Sequence, residues 1–254
     1  MVQSVIAAQL YTLREFTKNV EDIRSTFVRV RGLGYEAVQV SGMGPIEPEE
    51  LKHIAEDSEL RIIATHIPYQ RIVDEVEEVI REHTMWGCRH VAIGGLPPEF
   101  RNEEGFARFA REASEAAKPL VQAGLTFSYH NHSFELERFG GRTALQTLVE
   151  ESDPETFSFE IDTYWIQHGG ANPTTWLHDL KDRMHVVHLK DMAMEGSKQL
   201  FAEVGEGNLE WDAILKACKA ADIEWYIIEQ DTCIGDPFDS LKKSLDNLRA
   251  MGLH

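Results

Sequence analysis

The 254-residue chain carries 43 acidic residues against 25 Lys plus Arg, a formal net charge of −18, and is 43% hydrophobic. So acidic a surface repels phosphate backbones and anionic membranes, which argues against nucleic-acid and membrane partners, while the apolar content is enough for a sizeable core. Three widely spaced cysteines, Cys88, Cys218 and Cys233, suit neither a disulfide framework nor a zinc knuckle, and MVQSVIAAQLYTL lacks the basic n-region and cleavage site of a signal peptide, so a cytoplasmic protein is expected.

The predicted elements alternate from the start. A β-rich run SVIAAQL (4–10) precedes a helix over 20–34, which stops at Gly32 and Gly34. EAVQVSG (36–42) precedes a helix over 47–60, and RIIATHI (61–67) precedes one over 74–87. HVAIGGL (90–96) is followed by a long amphipathic helix over 102–124, which Pro119 is expected to kink or break. LTFSYHNH (125–132) leads to a helix over 143–152, and FSFEID (157–162) to one over 172–183. HVVHLKD (185–191) and WYIIEQD (225–231) close the series, with helices over 210–222 and 236–252. Pro48, Pro173 and Pro237 stand at helix starts, where a missing N–H is harmless.

Runs apolar at nearly every position suit strands buried on both faces, as in a parallel sheet. Eight βα units in a chain of this length, without a linker, predict an α/β fold: one (β/α)₈ TIM barrel over 1–254. An open doubly wound sheet is the rival, but the first strand runs into QLYTLREF without a glycine-rich phosphate loop.

In a barrel the catalytic groups collect at the C-terminal ends of the strands. Strands five to eight end in YHNH, EID, HLKD and EQD, so four neighbouring strands deliver His or carboxylate to one mouth. Alternation puts Glu160 and Asp162 on one face, and likewise His130 and His132. Carboxylates in such apolar strands are costly unless paired or metal-bound. A ring of structural salt bridges would also explain them, and a metal is the favoured account. Imidazole with carboxylate suits Mn²⁺, Zn²⁺, Fe²⁺, Co²⁺ or Ni²⁺ rather than Ca²⁺.

Other mouth residues are candidates for substrate contact. His66, Gln9 and Gln39 stand at the ends of strands one to three, and His132 follows strand five. Tyr164 and Trp165 could wall a sugar ring, although core packing explains an aromatic pair equally well. Lys190 is in register with His188 and could stabilise an enolate. His90 begins strand four, on the face that reads as stability. In VGEGNLEW one G-x-G is too weak to mark a phosphate cradle; it reads as a loop over the mouth, with Glu206 solvated and Asn208 capping a helix from Leu209.

The strings YHNHSFEL, EIDTYWIQHGG, HVVHLKD, VGEGNLEWDAIL and WYIIEQD resemble the sugar phosphate isomerase/epimerase family of xylose isomerase-like barrels, which also holds ketose 3-epimerases, inosose dehydratases and the endonuclease IV type. The resemblance covers the whole chain and is strongest over 125–231. It implies one divalent metal, Mn²⁺ first, held by one residue from each of strands five to eight. Asp162, His188 and Glu229 match the strand six, seven and eight ligands. At strand five the family's usual Glu is replaced by His130, so His130 and Glu160 are both candidates, with Glu160 slightly preferred for its charge.

The resemblance also implies a mechanism: proton abstraction next to the carbonyl of a sugar, keto-sugar or cyclitol. Glu229 is the base, Glu160 or His130 its partner, and Lys190 an electrostatic aid. Isomerisation or epimerisation is the leading outcome, with dehydration of an inosose or 3-keto-glycoside as the alternative. A metal-dependent hydrolase or nuclease lacks further ligands and has the wrong charge, and a sugar-binding protein would not need several buried carboxylates. A homo-oligomer is what the resemblance implies for assembly.

Overall fold

A computed structural model describes residues 5–254, so Ser4 of the first predicted run lies outside the described residues. Strand β1 (Ile6–Gln9) leads through a 3₁₀ stretch, Leu10–Phe16, to helix α1 (Val20–Leu33). Then come β2 (Ala37–Val40), α2 (Pro48–Asp57), β3 (Arg61–His66), α3 (Tyr69–Asp74), α4 (Val76–Trp86) and β4 (His90–Ile93). Helix α5 (Glu103–Gln122), β5 (Thr126–His130), α6 (Ala144–Glu151), β6 (Ser158–Asp162), α7 (Thr163–His168) and α8 (Pro173–Asp179) follow. Strand β7 (Met184–Leu189), α9 (Trp211–Ala220), β8 (Trp225–Ile228) and α10 (Pro237–Ala250) complete the order.

The eight strands pair in parallel, each with its sequence neighbours, and β8 closes on β1 through Ile6↔Tyr226, Ala7↔Ile227 and Ala8↔Ile228. The expected single (β/α)₈ barrel is therefore the observed fold. Ring closure also leaves no sheet edge, which a parallel sheet buried on both faces would otherwise have to cover.

Strand alternation divides the core in two. Ile6, Ala8, Val38, Ile62 and Val91 face the helices and join the large cluster with Phe27, Phe109 and Leu245. Ala7, Ala37, Ile63, Ala64, Val186 and Ile227 form a separate, smaller cluster that fills the barrel's interior. Further along the strands the inward positions turn polar: Gln9, Gln39, Glu160 and His188 are all fully buried. The apolar plug thus supports a polar layer, and the site stands on that layer.

Several boundaries differ from expectation. Helix α5 runs unbroken through Pro119 to Gln122: the proline takes one i→i−4 hydrogen bond from the last turn, and the sixteen residues before it hold the helix. The helix expected over 74–87 begins at Val76 and is preceded by the separate α3, with the break at Glu75 (φ −133°). The helix expected over 172–183 ends at Asp179 and continues only as a 3₁₀ turn, Lys181–Arg183. Asn208 does not cap α9, whose N-cap is Glu210. The seventh strand ends at Leu189, and Asp191 opens an antiparallel hairpin, Asp191–Glu195 with Lys198–Ala202.

Candidate metal centre

Asp162 ends β6 and is also the N-cap of α7: its Oδ1 accepts from the Trp165 backbone N–H at 2.9 Å. Its own N–H donates to Asn131 Oδ1 at 2.9 Å. Two local bonds therefore fix the carboxylate and leave Oδ2 facing His130 Nε2 (3.2 Å) and Lys190 Nζ (3.0 Å). His188, in register with Asp162, is the last residue but one of β7. Its Nδ1 lies 2.9 Å from Glu229 Oε2, just past β8, and its Nε2 lies 2.6 Å from Gln39 Oε1.

One ligand atom from each of His130, Asp162, His188 and Glu229 lies within 4.8 Å of the others, and all four residues are buried. Two imidazoles and two carboxylates make a donor set suited to a first-row transition metal. His130 turns Nε2 toward Asp162, and its Nδ1 is buried with no hydrogen-bond partner among the described residues. His130, Asp162, His188 and Glu229 are thus the residues that could hold a metal.

Glu160, the slightly preferred fourth ligand, reaches elsewhere. It crosses the interior to bond His66 Nε2 and to accept from Gln39 Nε2 at 2.8 Å, and it lies 3.3 Å from His188 Nε2. With His66 and His188 it forms a second grouping that shares His188 with the first. Of the two strand-five and strand-six candidates, His130 stands in the four-residue cluster and Glu160 beneath it. The pairing shift between β6 and β7 at Phe159/Ile161 accompanies this split.

The electrostatics follow from burial and contact. Burial alone opposes a charged ring at His188, but Glu160 and Glu229 outweigh it and raise its pKa to about 10. Burial would raise the Glu160 carboxyl, yet His188 and His66 hold it well below its ordinary value. Burial likewise opposes ionisation of Glu229, and Lys190 with His188 brings it down. Lys190 is buried too, and Asp162, Glu229 and Asp231 raise it above its ordinary value despite that burial. His130 is pushed well down by burial and by His188, and His132 falls to about 4 through burial and Lys190. Both rings are therefore held in the neutral form at neutral pH, whereas His188 without a metal is held charged by the carboxylates around it.

The remaining predicted contacts surround the cluster. His66 stacks on His188 with ring centroids 5.2 Å apart. It needs Gly94 opposite, where a Cβ would come within 3.1 Å of His66 Nδ1. The rings of His132 and Trp165 lie 5.3 Å apart, and His132 Nδ1 and Trp165 Nε1 are both buried without a hydrogen-bond partner among the described residues. Tyr164 stacks on Phe201 of the hairpin at 4.0 Å, which gives it a packing role. Gln9 lies fully buried below the cluster, donating to Gln39 at 2.7 Å and accepting from Tyr11 N. His90 bonds Thr126 and Glu224 at the opposite end of the barrel, as expected of the stability face.

Some residues of the site escaped the sequence reading. Thr163 accepts from the Lys190 N–H at 3.1 Å and donates to the Lys190 carbonyl at 2.9 Å, locking the strand end. Asp191 is fully buried; Oδ2 accepts from Gly205 N, Gly207 N and Trp211 Nε1, and Oδ1 from Met192 N and Leu209 N. The G-x-G of VGEGNLEW therefore wraps a carboxylate of its own chain, which a donor-rich turn beside an unclaimed Asp could have signalled. Glu206 pairs with Lys243 at 2.8 Å on the surface.

Comparison with known proteins agrees with this architecture. An inosose dehydratase from Lacticaseibacillus casei is 22% identical over 262 residues, covering 84% of this chain and 85% of that protein. A crystal structure of a sugar phosphate isomerase/epimerase from Parabacteroides distasonis superposes with a TM-score of 0.80 at 21% identity, covering 98% of this chain and 95% of that one. An L-ribulose 3-epimerase superposes with a TM-score of 0.74 at 16% identity, covering 99% and 95%. Residues 27–251 match the xylose isomerase-like TIM barrel family, and the chain belongs to that family.

Proposed function

We propose that this protein is a metal-dependent enzyme that removes a proton from the carbon next to the carbonyl of a small sugar, keto-sugar or cyclitol, with isomerisation or epimerisation as the outcome. The observation that carries the reading is the meeting of His130, Asp162, His188 and Glu229 within 4.8 Å at the mouth of the barrel. A divalent ion held there, Mn²⁺ first, would polarise the carbonyl and acidify the adjacent C–H.

The protein's own groups do the rest. Glu229, kept ionised by Lys190 and His188, takes the proton. Lys190 Nζ, 2.7 Å from Glu229 Oε2, offers positive charge to the oxygen on which negative charge develops. His132 and Trp165, each with a buried ring nitrogen that has no partner among the described residues, would orient hydroxyls. His66 fixes Glu160 and stacks on His188, so it orients the cluster from below.

A second reading is elimination of water from an inosose or a 3-keto-glycoside. One observation favours it: the glutamate that would serve as a second base, Glu160, is engaged by His66 and Gln39, while His130 takes its place in the cluster. Elimination needs only one base and one acid. The inosose dehydratase likeness points the same way.

The test is proton exchange from a panel of keto-sugars and inososes in D₂O, followed by NMR with and without Mn²⁺ or Co²⁺. Exchange at one carbon is expected, lost on chelation and reduced by roughly 10³-fold or more in Glu229→Gln. Retention of all oxygens in the product identifies isomerisation or epimerisation, and release of water identifies elimination. No exchange from any substrate by metal-loaded protein would rule the proposal out.

A further inference from the structure

We infer that Lys190 is a built-in competitor for the cation position and that Asp231 is the positioning residue that draws it aside. The inference rests on the metal reading above. Lys190 Nζ lies 3.0 Å from Asp162 Oδ2, 2.7 Å from Glu229 Oε2 and 2.6 Å from Asp231 Oδ2. The first two contacts are to carboxylates of the four-residue cluster, and the third is to a carboxylate outside it.

An ammonium group and a divalent cation drawn to the same two carboxylates repel each other strongly in a buried site, where charges are poorly screened. Lys190 is almost wholly buried, so it cannot retreat into water. Asp231 offers the alternative. Its side chain is 22% exposed and stands on the solvent side, and its backbone carbonyl is anchored by Arg14 Nη2 at 2.9 Å. An ammonium held by Asp231 leaves Asp162 and Glu229 free to hold a cation while staying within reach of the substrate. Lys190 carries three free torsions beyond its Cβ and can make that short shift, whereas its backbone is locked by Thr163.

The alternative is that Asp231 acts only as one more negative charge near the site. A double-mutant cycle separates the two, because a residue that acts through Lys190 loses its effect when Lys190 is gone. Mn²⁺ binding to chelator-stripped protein is measured by titration calorimetry, with folding checked by circular dichroism. Lys190→Met is expected to bind Mn²⁺ about tenfold more tightly and Asp231→Asn about tenfold more weakly. In the Lys190→Met background, Asp231→Asn should change affinity by less than about twofold. If Lys190→Met does not fold, Lys190→Gln, which can still donate to the carboxylates, takes its place in the cycle.

Equal weakening by Asp231→Asn in both backgrounds would overturn the positioning role. Unchanged affinity in the Lys190 variant would overturn the competition itself. Absence of Mn²⁺ binding by the native protein would instead remove the metal reading on which the inference stands, so the two failures are distinguishable.

Discussion

Glu135 is fully buried, accepting from Tyr129 Oη at 2.6 Å and from the His132 backbone N–H at 2.9 Å. Burial outweighs those bonds and raises its pKa to about 7. An unfolded glutamate titrates near about 4.3. The folded state therefore binds the extra proton between these values, and stability falls as pH rises through that window, by roughly 4 kcal/mol in all. Glu135→Gln keeps the bond from His132 through its carbonyl and can donate to Tyr129. Urea midpoints at pH 5 and pH 8 should therefore drop less for the variant than for the native protein. A stability difference between the two that does not change with pH would refute the assignment. The same scale shows what sequence could and could not give. Asp162, His188 and Glu229 were legible from their strand-end positions. How His130 and Glu160 divide between two groupings was not, because alternation reports the face of a strand and not which wall the side chain reaches; Glu160 spans the interior to β2 and β3, while His130 stays with Asp162.

At the scale of elements, the hairpin and the turn beyond it are tied together by one side chain. Asp191 takes N–H groups from Gly205, Gly207, Leu209 and Trp211, and a Cβ at Gly207 would sit 2.4 Å from its Oδ1. Asp191→Asn turns two of its acceptor sites into donors facing donors. The expected cost is roughly 2–4 kcal/mol, read as a lower urea midpoint with an unchanged slope, since buried charge-assisted bonds are lost. Because Lys190 precedes Asp191, activity should fall further than stability accounts for. A variant as stable as the native protein would show that the turn is held by packing alone. The eight barrel strands were legible since burial on both faces leaves near-continuous apolar runs. Helix α7 was not: six residues, TYWIQH, carry too little periodicity to be told from a strand exit, and only the Asp162 cap marks its start. The hairpin was missed for a related reason: DMAME and KQLFA are short and alternate weakly, so the two-residue turn Gly196–Ser197, with Gly196 at φ +59°, was the one local signal and was passed over.

For the whole molecule, the charge of −18 complicates any test of metal binding by stability. Self-repulsion among surface carboxylates means that every added salt, specific or not, raises the melting temperature by screening. A site-bound ion differs in two ways: its effect saturates with its own dissociation constant, and it requires the cluster. At a free concentration of about 100 times the dissociation constant, binding to the native state alone adds about 2.7 kcal/mol, or a rise of roughly 5–10 °C for a domain of this size. Sodium chloride at matched ionic strength supplies the screening baseline. Mn²⁺ should exceed that baseline by the stated amount, a chelator should return the protein to it, and Glu229→Gln should follow the baseline throughout. The surface of the variant is otherwise unaltered, so equal rises in native and variant protein would mean that the cations act on the surface and that the buried carboxylates are neutralised by Lys190 and His188 alone.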